Sequence, residues 1–429
     1  MNGLPPIDFF GQLRDFFSTF GFVFVHAWWA IILGLIFLAY YAFYRIQNNK
    51  FLAGVEYVLL TVSVPADSEK SPKSMEQVLA GFHGIYSPPN WSEFWILGEQ
   101  QAQVSLELVG INGQVRFIIR TPVKLRDAVE AHIYAHYPDA EIFEIEDYVD
   151  AIPDKWPNEQ YELFGTDFKL MMPDSYPIRT YMQFAEEFDK GFIDPISAYT
   201  EVMGKLNEGE QIWLQITIRP VDDAWKKEGE NIAAKLIGKK VDIPEDFFKK
   251  TVVKGWHNVL SATDAILQVP AAELKEQKRE VESLMQYLSP GEQDVVTAIQ
   301  RNIAKVGFET KFRYIYVAKK DVYQKGRGVV AILGALKLLH TQNLNWFWLD
   351  KHTKTKLDYW KFRIPKRQKK IVRYYKERDM DAGIPPCILS IEELATLFHF
   401  PYVSVESPSV ISASASKAEA PSNLPVGRQ

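Results

Sequence analysis

The sequence predicts an α+β protein: an N-terminal transmembrane helix followed by two ferredoxin-like (split βαβ) domains, the second of which carries a helical insertion. Three observations lead to this prediction. A long apolar run lies near the N-terminus, a β-α-β-β-α-β succession follows over 51–150, and a stretched version of that succession covers 160–345. With 429 residues, 47% of them hydrophobic, the chain has enough apolar material for two cores.

The apolar run from Phe22 to Tyr44 contains 23 residues without Lys, Arg, Asp or Glu. A helix of that length rises about 35 Å, enough to cross a hydrocarbon core of about 30 Å. The apolar core of a cleaved secretory signal is shorter, about 7–15 residues. An uncleaved transmembrane helix over 21–44 is therefore predicted. The residues expected at its interfaces are Trp28, Trp29, Tyr40, Tyr41 and Tyr44.

The residues around this run predict its surroundings. Over 1–20, apolar residues recur along one helical face, as in an amphipathic segment. Basic residues are more numerous after the run than before it, so the positive-inside rule places a single-pass protein in the cytoplasmic membrane with its body in the cytoplasm. Cys387 is the single cysteine and cannot form an internal disulfide, which agrees with a reducing compartment.

The elements of 51–150 follow in a clear order. A β-rich run over 55–64 comes first, and Ser71-Pro72 then supplies an N-cap and a first-turn proline for a helix. Asn112-Gly113 lies between two alternating runs and is a strong hairpin signal. A second helix and a last alternating strand over 140–148 complete the order β-α-β-β-α-β, which predicts an antiparallel sheet with both helices on one face.

The second domain, over 160–345, repeats this order with longer connections. Its strongest strand is 211–219, whose isoleucines and leucine alternate with polar residues. A highly charged stretch over about 223–288 is typical of solvated helix faces and predicts the inserted hairpin. A strand over 308–319 and a helix over 326–340 follow. Ser289 and Ser390 each precede a glutamate by three residues, a capping-box pattern that predicts the start of a helix at both places.

The remaining residues divide into a basic segment with a short helix, 346–403, and a small-residue tail, 404–429, which is expected to be flexible. Between Lys351 and Arg378 there are twelve basic and two acidic residues, a net charge of +10. The other 37 basic and 52 acidic residues sum to −15, so the formal net charge of −5 conceals a concentrated positive region.

This basic segment is the candidate interaction surface. Its cations alternate with aromatic residues, a composition that can neutralise phosphates and stack on bases. Three interpretations stay open: nucleic-acid binding, docking of an acidic protein or anionic lipid, and a solvated segment paired with the acidic body. The candidate binding residues are Lys361, Arg363, Lys366, Arg367, Lys369, Lys370 and Arg373, and the interleaved aromatic residues are Tyr359, Trp360, Phe362, Tyr374 and Tyr375.

The sequence offers no signature of catalysis. No Walker motif is present, and Gly326-Arg327-Gly328 lacks the lysine and hydroxyl that bind phosphate and magnesium. His132 and His136 are spaced like metal ligands on a helix, but no third ligand is placed beside them. We therefore expect a protein that is not an enzyme and has no cofactor or metal site.

Several strings resemble a known family. SPKSMEQVLAGFHGIY (71–86), VSLELVGINGQVRFIIRTP (104–122), IYAHYPDAEIFEIEDY (133–148), GEQIWLQITIRP (209–220) and LSIEELATLFHFP (389–401) are similar to the membrane-anchored N-terminal region of type IV secretion-like conjugative DNA-transfer proteins, the coupling ATPases of the HerA-FtsK class. In such proteins a motor follows the last element, whereas this chain ends at Gln429. The resemblance thus implies either that the motor is a separate polypeptide or that this chain is a truncated relative. In the first case a motor ATPase is the expected partner, docked in part by Leu394, Leu397 and Phe398.

The expected function is a non-catalytic, membrane-anchored component of a type IV secretion or conjugative DNA-transfer system. Its expected partners are the lipid bilayer, a HerA-FtsK-type motor ATPase, DNA and further copies of itself. Two alternatives remain: a membrane-bound enzyme with an unrecognised site built from His257, Glu273 and His340, and a ring-forming structural membrane protein.

Overall fold

The computed structural model describes two compact units. Unit 1 consists of Met1–Tyr57 and Ser87–Ala102, and unit 2 of Val58–Tyr86 and Gln103–Gln429. The residues described are 9–65, 70–186, 194–237, 288–356 and 361–401, with the backbone alone at 9–27, 30–31 and 185–186. The predicted amphipathic stretch 1–20, most of the insertion about 223–288 and the tail 404–429 lie outside the described residues or side chains.

Unit 1 is built on one long helix, α1 (Phe9–Gly54), and a π-helical turn (Glu93–Leu97). The turn ends at Gly98, whose φ of +71° is a left-handed conformation that glycine adopts without strain. Asn48 of α1 donates its side-chain amide to the carbonyl of Gly98 over 2.9 Å. This hydrogen bond fixes the end of the turn against the second half of α1.

The predicted transmembrane helix over 21–44, and with it the single-pass placement in the cytoplasmic membrane, is wrong. No helix in the described part of the chain is long and apolar enough to cross a membrane. The apolar run ends in tyrosines with polar hydroxyls, and the 46-residue helix that contains it continues through Arg45 to Gly54. The Tyr44 ring lies 5.4 Å from the rings of both Phe94 and Trp95. Of the other expected interface residues, Tyr40 contacts Trp95, and Trp28, Trp29 and Tyr41 are exposed.

Unit 2 contains a nine-stranded antiparallel sheet. Its strands are β1 (Tyr57–Ser63), β2 (Val104–Ile111), β3 (Gln114–Pro122), β4 (Glu141–Ile145), β5 (Tyr161–Leu170), β6 (Glu210–Pro220), β7 (Gly307–Lys319), β8 (Phe347–Leu349) and β9 (Cys387–Ser390). The helices described in unit 2 are α2 (Pro72–His83), α3 (Arg126–His136), α4 (Tyr181–Glu186), α5 (Ser197–Gly204), α6 (Ala224–Leu236), α7 (Pro290–Ile303), α8 (Ala331–Leu336), α9 (Ile364–Lys376) and α10 (Ile391–Leu397).

The strand order is β4-β1-β3-β2-β6-β7-β5-β8, with β9 paired to the start of β7. The first four strands and the last four each follow the split βαβ order, and the two halves meet where β2 and β6 pair antiparallel from Val104↔Ile218 to Ile111↔Gln211. The structure is thus of the predicted α+β class. The strands of the two successions predicted as domains 51–150 and 160–345 share one sheet, whereas 51–57 and 87–102 belong to unit 1.

Local signals explain several of these elements. Asn112 and Gly113, both with positive φ, form the two-residue turn between β2 and β3, as predicted. Ser71 is the N-cap of α2, and the predicted capping boxes begin α7 at Ser289 and α10 at Ser390. These predictions are confirmed.

The sheet is covered on both faces. On one face, the larger core contains buried residues of α2, α3, α5, α8 and α10. On the other face, Ile118, Trp213 and Ile315 pack with Ile371 and Val372 of α9 in a second core. The basic helix α9 therefore belongs to the fold and buries one side of itself.

A row of four polar side chains crosses this second face. Glu107 on β2 is opposite Gln215 on β6, Gln215 is opposite Arg313 on β7, and Arg313 is opposite Asp167 on β5. All four residues are completely buried. Because buried polar groups cost free energy unless they are hydrogen-bonded, the row needs partners above the sheet.

The partners come from residues 374–384, which we call the covering segment. Arg313 donates from Nε to Asp167 over 3.0 Å, and from its two other nitrogens to the carbonyls of Tyr374 (2.9 Å) and Ala382 (2.7 Å). Lys311, also on β7, donates to the carbonyl of Ile384. Gly383 has a φ of +88°, and a Cβ there would lie 2.2 Å from Asp167 Oδ2, so the segment passes directly over the row.

Burial lowers the pKa of Lys311 to about 8. Between about pH 8 and the usual lysine value of about 10.4, the unfolded chain holds a proton that the native protein has released, so the native state gains stability as pH rises. We predict that the free energy of unfolding of the wild type, minus that of Lys311→Met, increases by at most about 1.4 kcal/mol per pH unit between pH 8 and 9.5. Urea denaturation at several pH values measures this difference.

Lys320→Met is the matched control because Lys320 is exposed. The difference between wild type and this variant should stay constant over the same pH range. A constant difference for Lys311→Met as well would show that the Lys311 ammonium titrates at an ordinary value and contradict the prediction.

Candidate nucleic-acid interface

Helix α9 has two stripes of opposite character. Its buried side chains are Gln368, Ile371, Val372 and Tyr375, whereas Lys366, Lys369, Lys370 and Arg373 are exposed. Both sets repeat with the spacing of one helical face. Pro365 stands in the first turn, where its missing N–H costs no hydrogen bond. The helix therefore presents cations on one side because its other side is packed on the sheet.

Close packing against β5 fixes the middle of α9. Gly165 has no side chain where Ile371 approaches, and a Cβ at Gly165 would lie 3.0 Å from that residue. Gln368 donates from Nε2 to Glu162 Oε1 over 3.1 Å and to the carbonyl of Leu163 over 3.2 Å. These contacts set both the depth and the rotation of the helix.

The C-terminal end of α9 is fixed by Tyr375. Its hydroxyl is 2.9 Å from that of Tyr148, which in turn donates to Glu107 over 2.8 Å. Gln215 donates to the backbone carbonyl of Tyr375 over 3.1 Å. Burial raises the pKa of Tyr375, so this hydroxyl stays protonated and can take part in the network.

Arg378 closes the network two residues after α9 ends. Its side chain is 1% exposed, and it donates from Nε to Glu107 Oε1 over 3.0 Å and from Nη2 to Asp147 Oδ1 over 2.9 Å. Burial raises the pKa of the Glu107 carboxyl, but the charge and hydrogen bonds of Arg378 outweigh burial and leave that pKa below its ordinary value. Glu107 is therefore a buried carboxylate neutralised by one arginine.

Arg367 fixes the N-terminal half of α9. It donates from Nη1 to the backbone carbonyls of Lys351 (2.6 Å) and Lys354 (2.8 Å). These bonds bring the loop after β8 beside the helix. Burial and then the charge of Arg363 lower the pKa of Arg367. Arg367, a candidate binding residue in the sequence, is thus half-buried and bonded to the backbone.

The exposed cations form what we call the basic face. It consists of Lys351, Lys356, Lys361, Arg363, Lys366, Lys369, Lys370 and Arg373, all of them exposed. Arg373 lies 3.8 Å from Glu377, one turn further along the chain. Within the described ranges, Lys361, Lys366, Lys369 and Lys370 make no ion pair. Their charge is available to an anionic partner.

The aromatic residues of the basic segment differ in position. Tyr375 is buried, and Tyr374 is half-buried with the guanidinium groups of Arg373 and Arg313 5.3 and 5.7 Å from its ring centroid. Phe362 is exposed beside the basic face. Tyr359 and Trp360 lie outside the described residues.

The predicted docking residues on α10 are not on the surface. Leu394, Leu397 and Phe398 are buried in the larger core, where the Phe398 ring lies 5.8 Å from that of Phe117. The reason is that α10 packs against α2 and the sheet, so its apolar side completes this chain's own core. The prediction that these three side chains dock a partner is therefore wrong, because they belong to this chain's own core.

The side chains considered as metal ligands or catalytic groups do not form a described cluster. Among the described residues, no group of three or more His, Cys, Asp or Glu could hold a metal ion. His340 is exposed and stacked on Trp346 at 4.7 Å, while His257 and Glu273 lie outside the described residues. Burial raises the pKa of the Cys387 thiol well above its ordinary value, and its Sγ is 3.6 Å from the carbonyl of Thr310.

Sequence reasoning missed the buried partners of α9. Glu107 alternates with apolar residues along β2, a pattern that indicates a solvated face, yet the covering segment buries it. Arg378 was counted only as one more cation of the basic segment. The signal that could have separated it is its position after the last apolar residue of the α9 stripe, Tyr375.

A family model described as a domain of unknown function (DUF8128) matches residues 53–412. The chain belongs to this family. The match includes both halves of the sheet together with α9, the covering segment and α10, so the basic face is part of the family domain. No curated protein matches the chain.

We predict that Arg378→Ala lowers the free energy of unfolding by about 3–5 kcal/mol, because it leaves the buried carboxylate of Glu107 without a counter-charge. Urea denaturation followed by far-UV circular dichroism measures the loss. If the variant is largely unfolded under these conditions, urea denaturation at a lower temperature should still show the loss of stability as a lower urea midpoint.

Arg373→Ala is the control for the loss of an arginine in the same segment. Its side chain is 60% exposed, and removing it should change the free energy of unfolding by no more than about 0.5 kcal/mol. Equal effects of the two substitutions would mean that the Arg378 network does not stabilise the fold.

Proposed function

We propose that this protein is a non-catalytic nucleic-acid-binding component that holds the phosphate backbone on its basic face. The observation that supports this most directly is the outer stripe of α9, with Lys366, Lys369 and Lys370 on one helical side. Lysine is a point-charge phosphate binder, and the packed inner stripe keeps its helix rigid. Sequence-independent affinity for nucleic acid comes mainly from such contacts.

Charge distribution supports a local interface. The whole chain has a formal net charge of −5 and would be repelled by DNA if its charge acted from the centre. At physiological ionic strength, however, interactions between exposed charges are screened beyond about 8 Å. A phosphate at the basic face therefore interacts with the exposed lysines and little with acidic residues elsewhere.

The alternative of a basic segment paired with the acidic body has less support. Lys376 pairs with Asp154 at 2.5 Å and Arg378 with Glu107, but both cations lie on the inner side of the segment. The outward lysines have no such partner in the described ranges. An acidic protein remains the competing ligand, and the binding experiment below includes it.

The sequence resemblance to HerA-FtsK-class coupling proteins supports a finer proposal, in which the protein acts in a DNA-transfer system beside a motor ATPase. Affinity purification of the full chain from its native cells should then recover an ATPase of that class. A purification in which metabolic enzymes are the sole co-purifying proteins would contradict this part of the proposal and leave nucleic-acid binding to be judged separately.

We predict that the triple variant K366E/K369E/K370E binds DNA about tenfold or more weakly than the wild type, because three phosphate contacts become repulsive. The slope of log Kobs against log salt should fall by about 2–3, since each lost contact contributes about 0.9 on duplex DNA. Fluorescence anisotropy with a labelled duplex over 50–200 mM salt measures both quantities. Arg367 is left unchanged because of its bonds to the 351–354 backbone.

The control variant K226E/K227E/K235E changes the net charge by the same amount on the exposed side of α6. It should leave both affinity and slope close to those of the wild type. Equal losses in the two variants would show a long-range effect of net charge, and tighter binding to polyglutamate than to DNA would favour an acidic protein partner. Either result would contradict the proposal.

A further inference from the structure

Phe362 is an exposed aromatic ring beside the basic face. It lies in the 3₁₀ turn Lys361–Arg363 that leads directly into α9, and it is 70% exposed. Among the large hydrophobic residues of the described ranges, Trp91 alone has a larger exposed fraction. The fold buries rings wherever it needs apolar area, so this ring contributes little to the core.

The described residues next to the ring in the chain are cationic. Lys361 and Arg363 flank it and are themselves exposed, and the Arg363 guanidinium carbon lies 5.7 Å from the ring centroid. Lys366 follows one helical turn later, about 5–6 Å along the helix axis. A ligand that contacts Phe362 therefore also meets positive charge, which argues for an anion that carries its own flat apolar surface.

Unpaired nucleotides have that combination. In a duplex the base faces are covered by their neighbours, so a ring on the protein surface has no free base face to stack on. In a single strand each phosphate is accompanied by a base with an accessible π-face, and proteins that bind such strands combine a basic track with aromatic stacking platforms. A phosphate-binding lysine stripe on its own would not require an exposed ring.

We propose that the basic face binds single-stranded nucleic acid in preference to duplex, with a base stacked on Phe362 while Lys366, Lys369 and Lys370 contact the neighbouring phosphates. This inference rests on the proposed function and specifies its substrate class. Tyr374, on α9, is half-buried between two arginines and takes no part in this stacking.

The test compares a labelled 30-nucleotide single strand with a 30-base-pair duplex by fluorescence anisotropy, using the full chain at one salt concentration. The wild type should bind the single strand more tightly. Phe362→Ala should weaken single-strand binding about 5- to 160-fold, the range found for loss of one stacked base, and leave duplex binding unchanged. Phe362→Trp should retain or increase single-strand affinity.

Phe362→Leu is the matched control, because leucine keeps an apolar side chain but has no π-face. It should lose about as much single-strand affinity as Phe362→Ala. Full single-strand affinity of the leucine variant, or equal affinity of the wild type for both ligands, would overturn the stacking proposal while nucleic-acid binding stands. No binding of the wild type to either ligand would overturn both proposals.

Discussion

The position of α9 depends on the hydrogen bonds made by four buried polar side chains on one sheet face. Glu107, Gln215, Arg313 and Asp167 lie side by side across four strands, where water cannot reach them. An unpaired buried charge is far more costly than an unpaired neutral group, so the face is stable only when another part of the chain brings hydrogen-bond partners. The covering segment does so mainly with backbone carbonyls, which Arg313 reaches because its guanidinium has several donors in a fixed plane.

This requirement explains why a helix with so many cations is well ordered. The covering segment begins at Tyr374, within α9, so the network that neutralises Glu107 also fixes the end of the helix. The apolar residues Ile371 and Val372 then dock on the second core. The outer lysines need no contact with the body to hold the helix in place, and a surface fixed in advance loses less conformational entropy when a ligand binds.

The sequence predicted those features that depend on neighbouring residues. The turn at Asn112-Gly113 and the capping boxes at Ser289 and Ser390 each follow from a few adjacent side chains, and all three are present. The joining of the two halves through β2 and β6 could not be predicted, because an alternating strand does not reveal whether its edge is free or paired. For the same reason the alternation of Glu107 with apolar residues does not reveal that another segment of the chain buries it. Leu394 was expected to contact a partner because an apolar stripe indicates burial, but it does not indicate whether the helix packs on its own chain or on another protein.

The candidate site depends on which cations of the basic segment are buried and which are exposed, and a count of charges does not separate the two. Arginine presents a planar fork of donors, whereas lysine is a compact, strongly hydrated point charge. In the basic segment, Arg378 and Arg367 use that fork for buried carboxylates and backbone carbonyls, and Lys366, Lys369 and Lys370 remain in water. The net charge of +10 over this segment therefore overstates the binding surface, because part of it neutralises the interior. What distinguishes Arg367 from these lysines is the rotation of α9, and that rotation is set by its contacts with residues of β5.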